Sequence, residues 1–199
     1  MSFKSFNHRV VGTILCRGQM LLWEIRDRLS PPKENTILFV THPDDETLFF
    51  HGFIKEYKPY VVLMTAGYSV NRLSCFRKAM KQYGVRFRAF DQDVDDTNEE
   101  KIFRRAKHIF SLGDFTLCAT HNSEGEYGHP VQISVHNGVV KAADCKIITP
   151  VKQSEIDQYP LSKADVDDKI HIYKTIYVSE LFCLENWPEW VKYEGFKEI

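Results

Sequence analysis

From residue 36 to residue 175 the chain repeats one pattern: a short apolar run, a polar turn, then a longer stretch with helical spacing. The apolar runs are TILFV (36–40), YVVLMT (60–65), VRFRAF (85–90), FTLCAT (115–120) and CKIIT (145–149). Runs this short and this continuously apolar suit strands buried on both faces, the habit of a parallel sheet. Between them, residues 46–56, 72–84, 97–112, about 129–142 and 162–175 read as helices. RLSCFRKAMKQYG is amphipathic and closes on Gly84, while Thr97 and Glu100 stand at capping-box spacing before the next helix. Strands alternating with helices predict an α/β domain: a mostly parallel sheet with helices on both faces.

Residues 1–35 break the pattern. VVGTILC (10–16) has the β-branched character of a strand, QMLLWEIRDRL (19–29) suits a strand or a short helix, and SPPKEN (30–35) is a polar connector. The expected organisation is an N-terminal extension over 1–35, packing on or leading into a domain over 36–199. A chain of 199 residues buries roughly 70% of its unfolded surface, enough for one core. With 43% hydrophobic and 27% charged residues the composition is globular, which excludes disordered and collagenous classes. A net charge of −1 gives no expectation of nucleic-acid binding. Five scattered cysteines without a CxxC pair argue against a disulfide framework and against a cysteine zinc site. MSFKSFNHRV lacks the apolar core of a signal peptide, and no transmembrane stretch is visible, so a cytoplasmic, reducing location is expected.

Three polar segments fall at the carboxyl ends of the first, second and fourth runs: HPDDE (42–46), TAGYSVNR (65–72) and HNSEGEYGH (121–129). Ligands of open α/β sheets bind beyond that edge, so the three converge on one site. His42 offers an imidazole and Asp45 a carboxylate three residues later at a strand-to-helix turn, a pairing suited to a borderline cation such as zinc. Asp44, pointing away from them, is placed to orient a ligand or to take a proton from an activated water. The competing reading is that Asp44, Asp45 and Glu46 complement the N-terminus of the following helix. Farther on, His121, Glu124, Glu126, Tyr127 and His129 share one loop, which is not generic loop chemistry. His129, Gln132 and His136 recur at i, i+3 and i+7, one helical face; for His136 a solvated polar position is expected rather than ligation.

THPDDETLF (41–49) resembles the signature of the LmbE-like, or PIG-L, de-N-acetylases, usually written with Ala before His-Pro-Asp-Asp-Glu. The resemblance extends over 36–199. MTAGYSVNRLSCFRKAMKQYGV is similar to the family's second block, whose usual glutamate falls at Cys75. HNSEGEYGHP is similar to its Gly-Tyr-Gly-His-Pro segment, and KIHIYKTIYVSEL to its late helix bearing Lys and Tyr. This resemblance implies a Rossmann-like fold, with His42 and Asp45 as zinc ligands, Asp44 as general base, Arg72 on the substrate, and Tyr127 and His129 beside the developing oxyanion. It also places the third metal ligand at Gln132, where the chain reads HPVQISVH against an expected HPxHxxxH. A glutamine carbonyl is a weaker zinc ligand than imidazole. His136 lies about 6 Å farther along a helix, so it is not expected to substitute without rearrangement.

The resemblance implies removal of acetyl from an N-acetylglucosamine-containing conjugate, the partner expected here. Gln132 keeps a second reading open, in which the pocket binds a glycan or a protein with weakened metal affinity and catalysis. A nucleotide-binding reading lacks its glycine motif, because no GxGxxG or GxxxxGK[ST] follows a strand. The aromatic tail ENWPEWVKYEGF suits a pocket lining, core packing or an interface, and neither the aglycone nor the oligomeric state can be read from the residues.

Overall fold

A computed structural model describes residues 3–66, 69–90, 93 and 95–199, excluding the side chains of 3–13 and 16. Gly67 and Tyr68 of the second polar segment, and the thiol of Cys16, therefore lie outside the described residues. The elements run α1 (Phe3–Leu29), β1 (Thr36–Val40), α2 (Asp45–Tyr57), β2 (Tyr60–Leu63), α3 (Val70–Tyr83), β3 (Phe87–Ala89), α4 (Glu99–Phe110) and β4 (Leu117–Ala119). There follow α5 (Gly125–Gly128), α6 (Pro130–Ala142), β5 (Lys146–Pro150), α7 (Lys163–Thr175), α8 (Phe182–Asn186), α9 (Pro188–Lys192) and β6 (Phe196–Glu198), with 3-10 turns at Gln153–Gln158 and Val178–Glu180. Among the described residues one six-stranded sheet has the order β3-β2-β1-β4-β5-β6. The first five strands are parallel, and β6 pairs antiparallel with β5 through Ile148↔Glu198 and Pro150↔Phe196. This is the α/β architecture expected from the alternation of runs.

The apolar runs are continuous because each strand feeds two cores. Leu38, Val40, Val61 and Leu63 point to one face, where α2, α3 and α7 pack. Ile37, Phe39, Tyr60 and Val62 point to the other, under α4 and α6. All eight are inaccessible to solvent, and each such aliphatic or aromatic side chain contributes about 1.5–3 kcal/mol. The α4–α6 crossing is close because Gly138 has no Cβ: one built there would stand 2.6 Å from Ile102 Cγ2. The order reverses between β1 and β4, so the crevice of this sheet opens beyond the carboxyl ends of those two strands.

Two local expectations fail. VVGTILC forms no strand but lies inside the 27-residue α1. Strand propensity is a weak local preference, and a helix already started in the neighbouring residues gains a bond for each residue it adds. The cap of α4 is Asn98, whose side chain accepts the Lys101 N–H at 3.0 Å, rather than Thr97. The end of α1 is docked by charge. Asp27, fully buried, accepts from Tyr60 Oη at 2.6 Å and from Arg26 Nη2 at 2.7 Å, with Arg88 Nη1 at 3.5 Å. Among the described residues no helix is long and apolar enough to cross a membrane.

Candidate active site

β1 ends at Val40, and the chain turns through Thr41, His42, Pro43 and Asp44 before α2 begins. Asp44 makes that turn with φ 107°, a left-handed conformation that strains any residue with a Cβ. The strain has a visible effect: Asp44 stands at the N-cap of α2, yet its side chain makes no cap hydrogen bond. Its Oδ2 instead accepts from Tyr173 Oη at 2.9 Å and from the Cys183 thiol at 3.5 Å. The helix-complementing role falls to Glu46, whose Oε2 accepts the Asp44 N–H at 3.0 Å. Burial, then the neighbouring Asp45, Glu46 and Glu180 carboxylates, push the Asp44 carboxyl well above its ordinary range.

Asp45 faces the other way. Its Oδ2 accepts the His42 N–H at 2.8 Å and lies 3.5 Å from His42 Nδ1 and 3.4 Å from His121 Nε2. Burial opposes its charge, but the His121 and His42 contacts outweigh burial and hold it far below the usual carboxylate range. Its Oδ1 accepts from Nε2 of the fully buried Gln132 at 3.2 Å. With the amide nitrogen committed to Asp45, Gln132 Oε1 is left buried without a hydrogen-bond partner. Gln132 supplies an unpaired carbonyl, His42 an imidazole and Asp45 a carboxylate, donor types that a divalent cation takes. His42, Asp45 and Gln132 could therefore hold a metal ion.

His121 was legible only as a loop histidine, and the structure gives it a central place. It follows β4, accepts the Thr41 N–H on Nε2 at 3.0 Å, and shares a proton between Nδ1 and Glu126 Oε2 at 2.7 Å. Burial disfavours its cation, while the Glu126 and Asp45 carboxylates favour it. The Thr41 amide hydrogen, however, can only be accepted by an unprotonated nitrogen. Since that donor is fixed by the backbone of the turn, the ring in this arrangement is the neutral Nδ1–H tautomer. His136 is not solvated as expected: it is 8% exposed, and its Nδ1 meets the His121 carbonyl at 2.7 Å. That contact ties it to the backbone beneath the site, not to Asp45.

His42, Asp44, Asp45, Arg72, Tyr127 and His129 line one cavity of about 470 Å³, closed on one side by Phe182, Cys183 and Trp187. Tyr127 stacks on Trp187 with ring centroids 4.1 Å apart, which gives part of the aromatic tail a pocket role. Burial and the Asp45 and Asp44 carboxylates push the Tyr127 phenol upward, so it keeps its proton. The His129 ring lies 4.8 Å from that of His42, and its Nδ1 accepts the Val131 N–H as the cap of α6. Burial and the nearby His42 lower its basicity. Arg72 Nε is buried without a hydrogen bond, 3.6 Å from Glu180 Oε1. Of the candidate site residues, His42, Asp44, Asp45, Arg72, Tyr127 and His129 line the cleft and Gln132 touches Asp45, whereas Glu124 is exposed.

The residues that hold Asp44 and α2 in place have no role legible in the sequence alone. Lys169, Tyr173 and Tyr177 recur every four residues along α7 and just beyond it, a spacing that could have revealed them as one buried face. Lys169 Nζ donates to the Leu48 and Trp190 carbonyls at 2.8 and 2.9 Å, and Tyr177 Oη to Glu46 Oε1 at 2.7 Å.

No protein-family model and no curated protein matches the chain. Among solved structures, the crystal structure of the antimicrobial reagent A40926 pseudoaglycone deacetylase Dbv21 is similar to it, with TM-score 0.56 and 13% sequence identity. The match covers 79% of this chain and 87% of that one. At that identity the likeness is one of fold: the chain shares its mixed α/β architecture with a deacetylase.

Proposed function

We propose that this chain is a metal-dependent deacetylase that hydrolyses the acetamide of an N-acetylglucosamine-containing conjugate. One observation carries the reading. The strained turn frees the Asp44 carboxyl from capping and puts it on the wall of the same cleft that His42 and Asp45 line, with Gln132 beneath. His42, Asp45 and the Gln132 carbonyl would hold one ion, zinc by the borderline nature of the donors. When bound, such an ion polarises an acyl carbonyl and acidifies water. Asp44, fixed by the Tyr173 hydroxyl at 2.9 Å, takes the proton of the attacking water. Tyr127 keeps its phenolic proton, and His129, with Nδ1 occupied by a backbone amide, carries its ring proton on Nε2. Both are donors at the cleft wall for negative charge that develops in the transition state, where one such donor is worth about 10²–10³ in rate. Arg72, beside Glu180, would hold the sugar conjugate.

The test is acetate release from a panel of N-acetylglucosamine conjugates by zinc-loaded protein, run with Asp44→Asn. Turnover in the variant should fall at least ~100-fold while its zinc content stays unchanged. A zinc-loaded, folded wild type that releases acetate from no conjugate would sink the proposal. A second reading, a glycan-binding descendant with degraded metal affinity, is favoured by the Gln132 amide donating to Asp45 where an imidazole would ligate. Saturable conjugate binding without acetate release identifies that case.

A further inference from the structure

Away from the cleft, α2 and α7 carry a second group of ligand-type side chains. His51, Asp165 and Asp168 each offer one ligand atom, all within 4.8 Å of one another. Paired acids near a helix start are common without an ion, and here Lys55 Nζ bridges them at 2.5 Å from Asp165 and 3.0 Å from Asp168. His51 makes the group unusual. Its side chain is 1% exposed, and its Nε2 has no hydrogen-bond partner. That nitrogen is directed at Asp165 Oδ1 from 3.8 Å, beyond hydrogen-bond reach.

The tautomer follows from a chain of hydroxyls. Thr47 Oγ1 donates to Glu46 Oε1 at 2.8 Å, and Tyr83 Oη donates to Thr47 Oγ1 at 3.3 Å. With the one Tyr83 hydroxyl proton given to Thr47, the 2.8 Å contact with His51 is an Nδ1–H donated to Tyr83 Oη. Nε2 then keeps its lone pair, and burial together with Lys169 and Lys55 holds the imidazole near a pKa of about 4, neutral at ordinary pH. A buried lone pair facing a carboxylate oxygen is acceptor against acceptor, an arrangement that a cation resolves. We propose that His51 Nε2, Asp165 and Asp168 form a second divalent-cation site, with Lys55 as the internal competitor for the two carboxylates. One imidazole and two carboxylates suit zinc, whose tetrahedral donors sit at about 2.0–2.2 Å and hence about 3.3–3.6 Å apart. His51 and Asp165, at 3.8 Å, are already close to that spacing, and the wider part of the group has to close by about an ångström, which Asp168, with its side chain 57% exposed, is free to do. The Nδ1–H bond to Tyr83 is the outer support that a metal-bound imidazole usually carries. The ion would clamp α2 to α7, and these are the helices whose Glu46 and Tyr173 hold Asp44.

Zinc binding by equilibrium dialysis tests the site directly and does not depend on deacetylase activity. In a His42→Ala/Asp45→Ala background the chain should bind one zinc ion. His51→Gln should lower the stoichiometry by one both there and in the unmodified chain, with the fold checked by circular dichroism. Lys55→Met should tighten binding at least tenfold, because it removes the competitor. An ion-pair latch with no affinity for metal gives the opposite pattern, no zinc at this site and a lower melting temperature in Lys55→Met, and overturns the proposal. So does zinc binding indifferent to His51→Gln. Acetate release combined with an absent second zinc would overturn this site and leave the deacetylase reading standing.

Discussion

Replacing Gln132 with histidine exchanges an amide for an imidazole at a fully buried position, with Asp45 Oδ1 3.2 Å from its Nε2. Two effects separate. Without metal, the variant can keep a donor toward Asp45 and loses the orphaned Oε1, a buried unpaired group of the kind that costs about 1–3 kcal/mol. The metal-free protein should therefore be as stable as wild type or gain up to that amount, a shift of a few degrees at roughly 2–4 °C per kcal/mol for a chain of this size. With metal, an imidazole replaces a neutral carbonyl, and a gain of about 1.4 kcal/mol already tightens binding tenfold. The assay is a zinc competition titration against a chromophoric chelator, run in a His51→Gln background so that only the cleft is read, alongside melts in chelator. An active wild type whose zinc affinity improves at least tenfold is a working enzyme with a weak site. A wild type that is inactive and metal-free, but gains both properties, is a decayed site kept for binding. Unchanged zinc affinity in a folded Gln132→His variant refutes the reasoning, because Gln132 would then not face the ion.

Asp27→Ala should destabilise the protein by about 3–5 kcal/mol, since it strips the buried counter-charge from Arg88 and a partner from Arg26; an unshifted denaturant titration would mean that Glu24, through Arg88 and His108, and the apolar contacts of α1 dock the helix without it. Glu24 resists its own burial through Arg88, Arg28 and His108, and its pKa falls from 4.5 to about 2 in the folded chain. A depressed carboxyl stabilises above its unfolded value, so this contribution is complete above about pH 4.5 and is lost as pH falls toward 2. Glu24→Gln should flatten the acid limb of stability against pH by no more than about 3 kcal/mol; an identical limb in both proteins would exclude the contribution. Gly138→Ala drives a methyl into Ile102 and should cost about 1–3 kcal/mol by thermal melting, whereas an unshifted melt would show that α4 and α6 can move apart freely.

The strands and helices of the domain were legible because burial on both faces of a parallel strand demands a local signature, an apolar run with no alternation, as TILFV and YVVLMT show. The convergence of HPDDE with the loop after β4 was legible too, since strand order brings carboxyl ends to one edge. VVGTILC was misread because its β-branched residues state a preference that helix continuity overrides. The antiparallel β6 gave no local signal, being three residues whose pairing is decided by β5. Nor does anything in the residue string announce that Asp44 adopts φ 107° or that its carboxyl turns from the helix to meet Tyr173, 129 residues away. The same holds for the Thr41 amide that fixes the His121 tautomer across 80 residues, and for the orphaned nitrogen of His51. Which elements form depends on neighbours within a turn or a strand, so sequence spacing records it. Which proton sits on which atom depends on groups that meet only when the sheet has assembled, and only the tertiary structure decides that.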